Sequence, residues 1–214
     1  MASIAFIISA YLIGSMPQVY WLIRLKGSDI HGNDLHEHLW SLSHKLGAIG
    51  FIIDLVKGAV VILLGRWLGL PVEIIAMAGL LVVVGQMWPV YLLRSGGGGN
   101  STASTVALTL AVYPFVFALI PVLIGLSWRI ITHLKNGQHP LGPPHSKSLP
   151  IGVFIALVTL PLASWLLSEP AAVTLSFSGL FIAIIGRRLI KGLIEESRVN
   201  PITAKIVLKH FILD

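Results

Sequence analysis

Cysteine is absent from all 214 residues. That excludes thiol catalysis and thiolate metal sites and leaves the redox compartment undefined. Charge is almost as scarce, at 11% of the chain, where a soluble domain carries about a quarter. Hydrophobic residues make up 55%, and the mean hydropathy is +0.87. Such a chain has too little polar surface to cover itself in water, so it reads as an all-α integral membrane protein with small loops. Acidic groups are outnumbered 9 to 15, giving a net charge of +6. The cations cluster at the ends of apolar runs. That placement suits lipid headgroups and the positive-inside rule, and it argues against nucleic acid as a partner. No internal repeat is visible.

Apolar runs extend from Ile4 to Ile23, Leu46 to Leu64, Val72 to Leu93, Val106 to Trp128, Pro150 to Leu167 and Ala171 to Ile185. Each approaches the ~20 residues that cross hydrocarbon as a helix. The first run lacks a basic flank and a small-residue cleavage site, so it reads as a retained helix and not a signal peptide. Trp21, Trp67, Trp88, Trp128 and Trp165 fall near run ends, as interfacial anchors do. Six crossings distribute the cations poorly. Dividing the fourth run at Pro114, with a short helix up to about Tyr113, predicts seven segments. Nearly all cations then share one side, which the positive-inside rule makes cytoplasmic, with the N-terminus outside. The short half is expected as a half-helix or re-entrant segment. Residues 1–200 read as one transmembrane domain and 201–214 as a short basic tail, with 203–213 able to form a surface helix.

Four polar groupings interrupt this apolar background. "RSGGGGNST", Arg94 to Thr102, reads either as a flexible connector or as a phosphate cradle. In the cradle, Gly96, Gly97, Gly98 and Gly99 let successive N–H groups converge on an anion. Arg94, Asn100, Ser101 and Thr102 add donors, and a helix starting near Thr102 adds its positive end. Asp54 and Lys57, three apart inside a span, share a helix face. At that depth they must face the bundle interior, as a structural ion pair or as part of a site. "HGNDLHEHLWSLSH" offers His31, Asp34 and His38 at helical metal spacing, although histidines of a solvated loop are the better account of it. "GRRLIKGLIEES", Gly186 to Ser197, closes the last span with cations, as dipole and lipid electrostatics favour. Ser176 and Ser178 are further polar groups inside that span.

Taken in order, these pieces resemble the bacterial acylphosphate-dependent glycerol-3-phosphate acyltransferases of the PlsY type. "YLIGSMP" (Tyr11–Pro17) is similar to that family's first helix, and "DLVKG" (Asp54–Gly58) to its Asp-x-x-Lys-Gly segment. "GQMWPVYLLRSGGGGNSTA" can be laid without gaps on GHxxPVFxGFKGGKGVATA, matching Gly85, Pro89, Val90, Gly96, Gly97, Gly99, Thr102 and Ala103. The resemblance runs loosely to about Ser197. It implies a seven-helix membrane enzyme that moves an acyl chain from acyl phosphate to glycerol 3-phosphate, making lysophosphatidate. It implies no cofactor and no metal, neither coenzyme A nor acyl carrier protein at that step, and the plasma membrane of a bacterium. The glycine stretch becomes a cytoplasmic phosphate-binding motif.

The chain departs from the family pattern at several polar positions. The lysine between the motif glycines is Gly98, and the motif histidine is Gln86. The first motif, SGNxGATNxxR, retains Gly32 and Asn33, but His31 replaces its serine and its arginine falls on Trp40 or Ser41. The third, HRxNIxRL, laid on Gly186 to Leu193, keeps Ile190 and Leu193 with Lys191 between them, and Gly186 and Leu189 replace the histidine and asparagine. Three readings follow. One is an acyltransferase in which His31 or His36 supplies the acid or base, the chemistry histidine performs near neutral pH. Another is a catalytically inactive paralogue that binds phospholipid or acyl phosphate, or regulates an active enzyme. The third is an unrelated membrane scaffold or transporter with a hinge at the glycines.

Overall fold

The computed structural model describes residues 2–28, 35–91, 96–137 and 148–197, without the side chains of Glu37, Ser148 and residues 191–197. Among the described residues the secondary structure is entirely helical. The helices are α1 (Ala2–Ser15), α2 (Gln18–Leu25), α3 (Leu35–Leu42), α4 (His44–Trp67), α5 (Val72–Met87), α6 (Asn100–Leu110), α7 (Val112–Lys135), α8 (Ser148–Leu166) and α9 (Ala171–Ser197). Five stretches are long and apolar enough to span a membrane: Ala2–Leu25, His44–Trp67, Val112–Lys135, Leu149–Leu166 and Ala171–Ile190. With the shorter apolar α5 and the 11-residue α6, they account for the seven segments expected.

The boundaries follow local chemistry. Pro17 ends α1 because the residue before a proline is pushed out of the α region. Ser43 caps α4, its side chain accepting from the Leu46 N–H. The fourth apolar run does divide, but at Ala111 and not at Pro114. Pro114 sits in the first turn of α7, where its missing N–H would have had no helical partner anyway. The 203–213 helix and most of the Asn136–Ser148 loop lie outside the described residues.

The chain forms two compact units: residues 1–110 with 170–180, and residues 111–169 with the chain from Phe181 onward. In the second unit α7 packs along α8, with Gly152 against the Pro121 carbonyl. There Phe154 of α8 meets Phe181 of α9, ring centroids 6.4 Å apart. The first unit holds most of the polar interior. Its core is built from Val61, Ile62, Val82, Val83, Val106 and Phe177, all essentially buried. Trp67, by contrast, is 79% exposed at the end of α4, as an interfacial anchor would be.

α1 and α5 lock together through reciprocal glycines. A Cβ on Gly14 would fall onto the Val82 carbonyl, and one on Gly85 onto the Tyr11 carbonyl. Small residues permit this approach where no hydrophobic effect drives helices together in lipid. Backbone atoms cannot swing aside as a side chain can, so Gly14→Ala must separate the helices. We expect a loss of about 1–3 kcal/mol, read as a lowered thermal midpoint in detergent. Gly186→Ala, which meets nothing within 4 Å, should leave the midpoint nearly unchanged.

Candidate active site

Four polar side chains meet where α1 breaks into α2. Asp54 is fully buried and Lys57 6% exposed. Lys57 Nζ donates to the Met16 carbonyl (2.9 Å), the Gly14 carbonyl (3.3 Å) and Gln18 Oε1. These carbonyls lie at the C-terminal end of α1, where helical partners run out. The Lys57 ammonium supplies partners to two of them. Its charge also complements the negative end of the helix dipole. Gln18 Nε2 in turn donates to Asp54 Oδ1, which lies 3.9 Å from Lys57 Nζ. The Asp54–Lys57 pairing expected from the spacing is therefore present but long, and Gln18 bridges it. Gln18 lies inside the first apolar run, Ile4 to Ile23, and sequence reasoning missed it. A third polar side chain in the apolar background was the available signal.

The other carboxylate oxygen faces away from this network. Asp54 Oδ2 lies at ion-pair distance, 3.1 Å, from His36 Nε2 and makes no hydrogen bond among the described residues. An ionised carboxylate only accepts, so it favours the proton on Nε2 and the lone pair on Nδ1. α3 brings His36 to this position, anchored by Leu39, which packs with Val19 and Ile23 of α2.

The glycine stretch closes over the same place. The Gly96 N–H donates to the Met87 carbonyl (3.1 Å), and a Cβ on Gly96 would strike the Gln86 carbonyl. A Cβ on Gly97 would stand 3.0 Å from His36 Nε2 and 3.4 Å from Gln86 Nε2. Gly99 has φ +81, a left-handed conformation that favours glycine. The Ala103 N–H makes the first bond of α6, to the Gly99 carbonyl (2.9 Å). The N–H groups ahead of that bond are ones that a helix leaves for partners outside itself. Together with the Gly14–Tyr20 turn, His36, Gln86, Pro89, Gly96 and Gly97 line an open cleft.

The structure therefore brings His36, Asp54, Gly96 and Gly97 together, with Gly98 and Gly99 leading into α6 and Asn100 and Ser101 in its first turn. The Thr102 hydroxyl turns away from the loop. It is fully buried and donates to the Asp54 backbone carbonyl at 2.9 Å, packing α6 on α4. His38 turns from His36 to Ser28, with Nε2 3.4 Å from Oγ. Ser176 and Ser178 donate to backbone carbonyls of Ala76 and Thr174, which satisfies them structurally. Arg94, His31, Gly32, Asn33 and Asp34 lie outside the described residues. Lys191 lies on α9 with its side chain undescribed.

Comparison with known proteins bears on what this cleft serves. A family model described as glycerol-3-phosphate acyltransferase matches residues 4–196. The chain belongs to the glycerol-3-phosphate acyltransferase family. Among its relatives in that family, glycerol-3-phosphate acyltransferase 4 of Dehalococcoides mccartyi is 35% identical over 96% of this chain and 86% of that protein. Glycerol-3-phosphate acyltransferase 5 from another strain of that species is 34% identical over 87% and 79%. The fold is shared with PlsY (YgiH), an integral membrane glycerol 3-phosphate acyltransferase whose crystal structure was solved in its glycerol 3-phosphate form. The TM-score is 0.72 at 21% identity, covering 97% of this chain and 99% of that one. The all-helical membrane architecture and the family read from Gly85–Ala103 thus hold for this acyltransferase-family chain, and the unrelated scaffold reading is set aside.

Proposed function

We propose that this protein transfers an acyl group from acyl phosphate to glycerol 3-phosphate in the plasma membrane of a bacterium, among membrane lipids. The observation that carries the reading is the His36–Asp54 pair at 3.1 Å, set against the glycine backbone at Gly97. In this reading the backbone of Gly97–Gly99 and the first turn of α6, with Asn100 and Ser101, hold phosphate, while the Gly96 N–H stays on the Met87 carbonyl. His36 takes the proton from the attacking hydroxyl. That oxygen bonds to the acyl carbonyl carbon, the bond from this carbon to the phosphate oxygen breaks, and inorganic phosphate leaves with the electron pair. Lysophosphatidate is the other product. The glycine stretch faces the cytoplasm and the N-terminus lies outside, as the distribution of cations favours.

A binding-only paralogue is the competing reading. It is favoured by Gly98, where the family pattern has lysine and where only Asn100 Nδ2 lies near, 3.9 Å from a Cβ position. The deciding experiment supplies palmitoyl phosphate and labelled glycerol 3-phosphate to the protein in lipid. Lysophosphatidate should form, at least about tenfold more slowly in Gly97→Ala, whose methyl group crowds His36. Folded wild-type protein that forms no product would establish the binding-only reading.

A further inference from the structure

Gln86 carries an atom that the transfer chemistry leaves unused. It lies in the last turn of α5, is 5% exposed, and its Oε1 is buried without a hydrogen-bond partner among the described residues. Burying an amide oxygen without a donor costs its desolvation and returns nothing. Ser15, Gln18, Lys57, Thr102 and Ser176, also buried in this unit, all have partners, and the Asp54 oxygen without one faces His36 at 3.1 Å. Gln86 borders the cleft. The glycine stretch passes close to it: a Cβ on Gly96 would strike the Gln86 backbone carbonyl, and one on Gly97 would stand 3.4 Å from Gln86 Nε2 and 3.0 Å from His36 Nε2.

We propose that Gln86 is a specificity-determining residue whose Oε1 accepts a hydrogen bond from a hydroxyl of the bound phosphate ester. The inference rests on the acyl-transfer reading for the place of the ligand and deepens it. With phosphate on the glycine backbone and the reacting hydroxyl at His36, Gln86 reads a second hydroxyl on the carbon between them. The ligand class is then a phosphorylated polyol with adjacent hydroxyls, and an alcohol phosphate bearing only the reacting hydroxyl is discriminated against. A site built around a substrate hydroxyl rejects the analogue lacking it because the buried partner is left unpaired.

The test measures binding of glycerol 3-phosphate and of 1,3-propanediol monophosphate, which lacks the middle hydroxyl, to wild type and Gln86→Met in nanodiscs. Wild type should prefer glycerol 3-phosphate by about tenfold, the worth of one such bond, and Gln86→Met should bind the two alike. Equal binding by wild type, a preference that survives in Gln86→Met, or no binding of either ester overturns the proposal. The wild-type comparison needs no variant and so does not depend on how Gln86→Met folds. Turnover followed in the same samples separates the two ideas. A hydroxyl preference without turnover sinks acyl transfer and leaves the role of Gln86 standing, whereas turnover without preference does the reverse.

Discussion

His36→Gln is expected to lower lysophosphatidate formation by about 10²–10⁴-fold, the usual worth of a positioned general base, while the protein stays folded. Glutamine keeps a donor within reach of Asp54 but cannot accept a proton near neutral pH. The loss should fall on kcat, with the dissociation constant for glycerol 3-phosphate little changed, because the proposed site holds phosphate on backbone N–H groups and not on the imidazole. The check is steady-state kinetics alongside direct binding in the same preparation. Turnover within about threefold of wild type would remove His36 from the reaction and return the choice to His31.

Asp54→Ala should cost stability and not only rate. The carboxylate is fully buried and answers Gln18 on one oxygen and His36 on the other. Its removal leaves Lys57 in the unit without the negative charge 3.9 Å away. Breaking a buried charge pair from one side typically costs about 3–5 kcal/mol, a fall in thermal midpoint on the order of 10 °C for a chain of this size. Asp54→Leu combined with Lys57→Met removes both charges and should recover part of the loss, since the remaining cost is the unpaired carbonyls at Gly14 and Met16. Thermal unfolding of the single and double variants in one detergent measures the coupling. A double variant that loses the sum of the two singles would mean that the two charges do not stabilise one another.

Asp54 plays two parts in this arrangement. Through Gln18 and Lys57 it closes the gap between α1 and α2, and through His36 it orients the candidate base. A residue with a structural load and a chemical one yields variants that are hard to interpret by activity alone. His36→Gln is therefore the cleaner probe of chemistry and Asp54→Ala the cleaner probe of architecture.

Sequence alone determined the membrane character, the all-helical class and the family. Those depend on composition, on the length of apolar runs and on glycine spacing, which are local properties of the chain. It also placed Asp54 and Lys57 on one face of a helix, because three residues are nearly one turn. The break at Ala111 was three residues out, since the first turn of a helix accepts proline and so hides its own start. What only the tertiary structure decided is which polar groups meet. Gln18 and Asp54 are 36 residues apart. The His36 imidazole reaches Asp54 only because Leu39 seats α3 against α2. Thr102 looked like a phosphate ligand by motif, yet α6 rotates its hydroxyl onto the Asp54 carbonyl. Gln86 looked like a lost histidine until the backbone of Gly96 and Gly97 was seen lying against it. Periodicity specifies the face of a helix, but the packing of one helix on another specifies what that face touches.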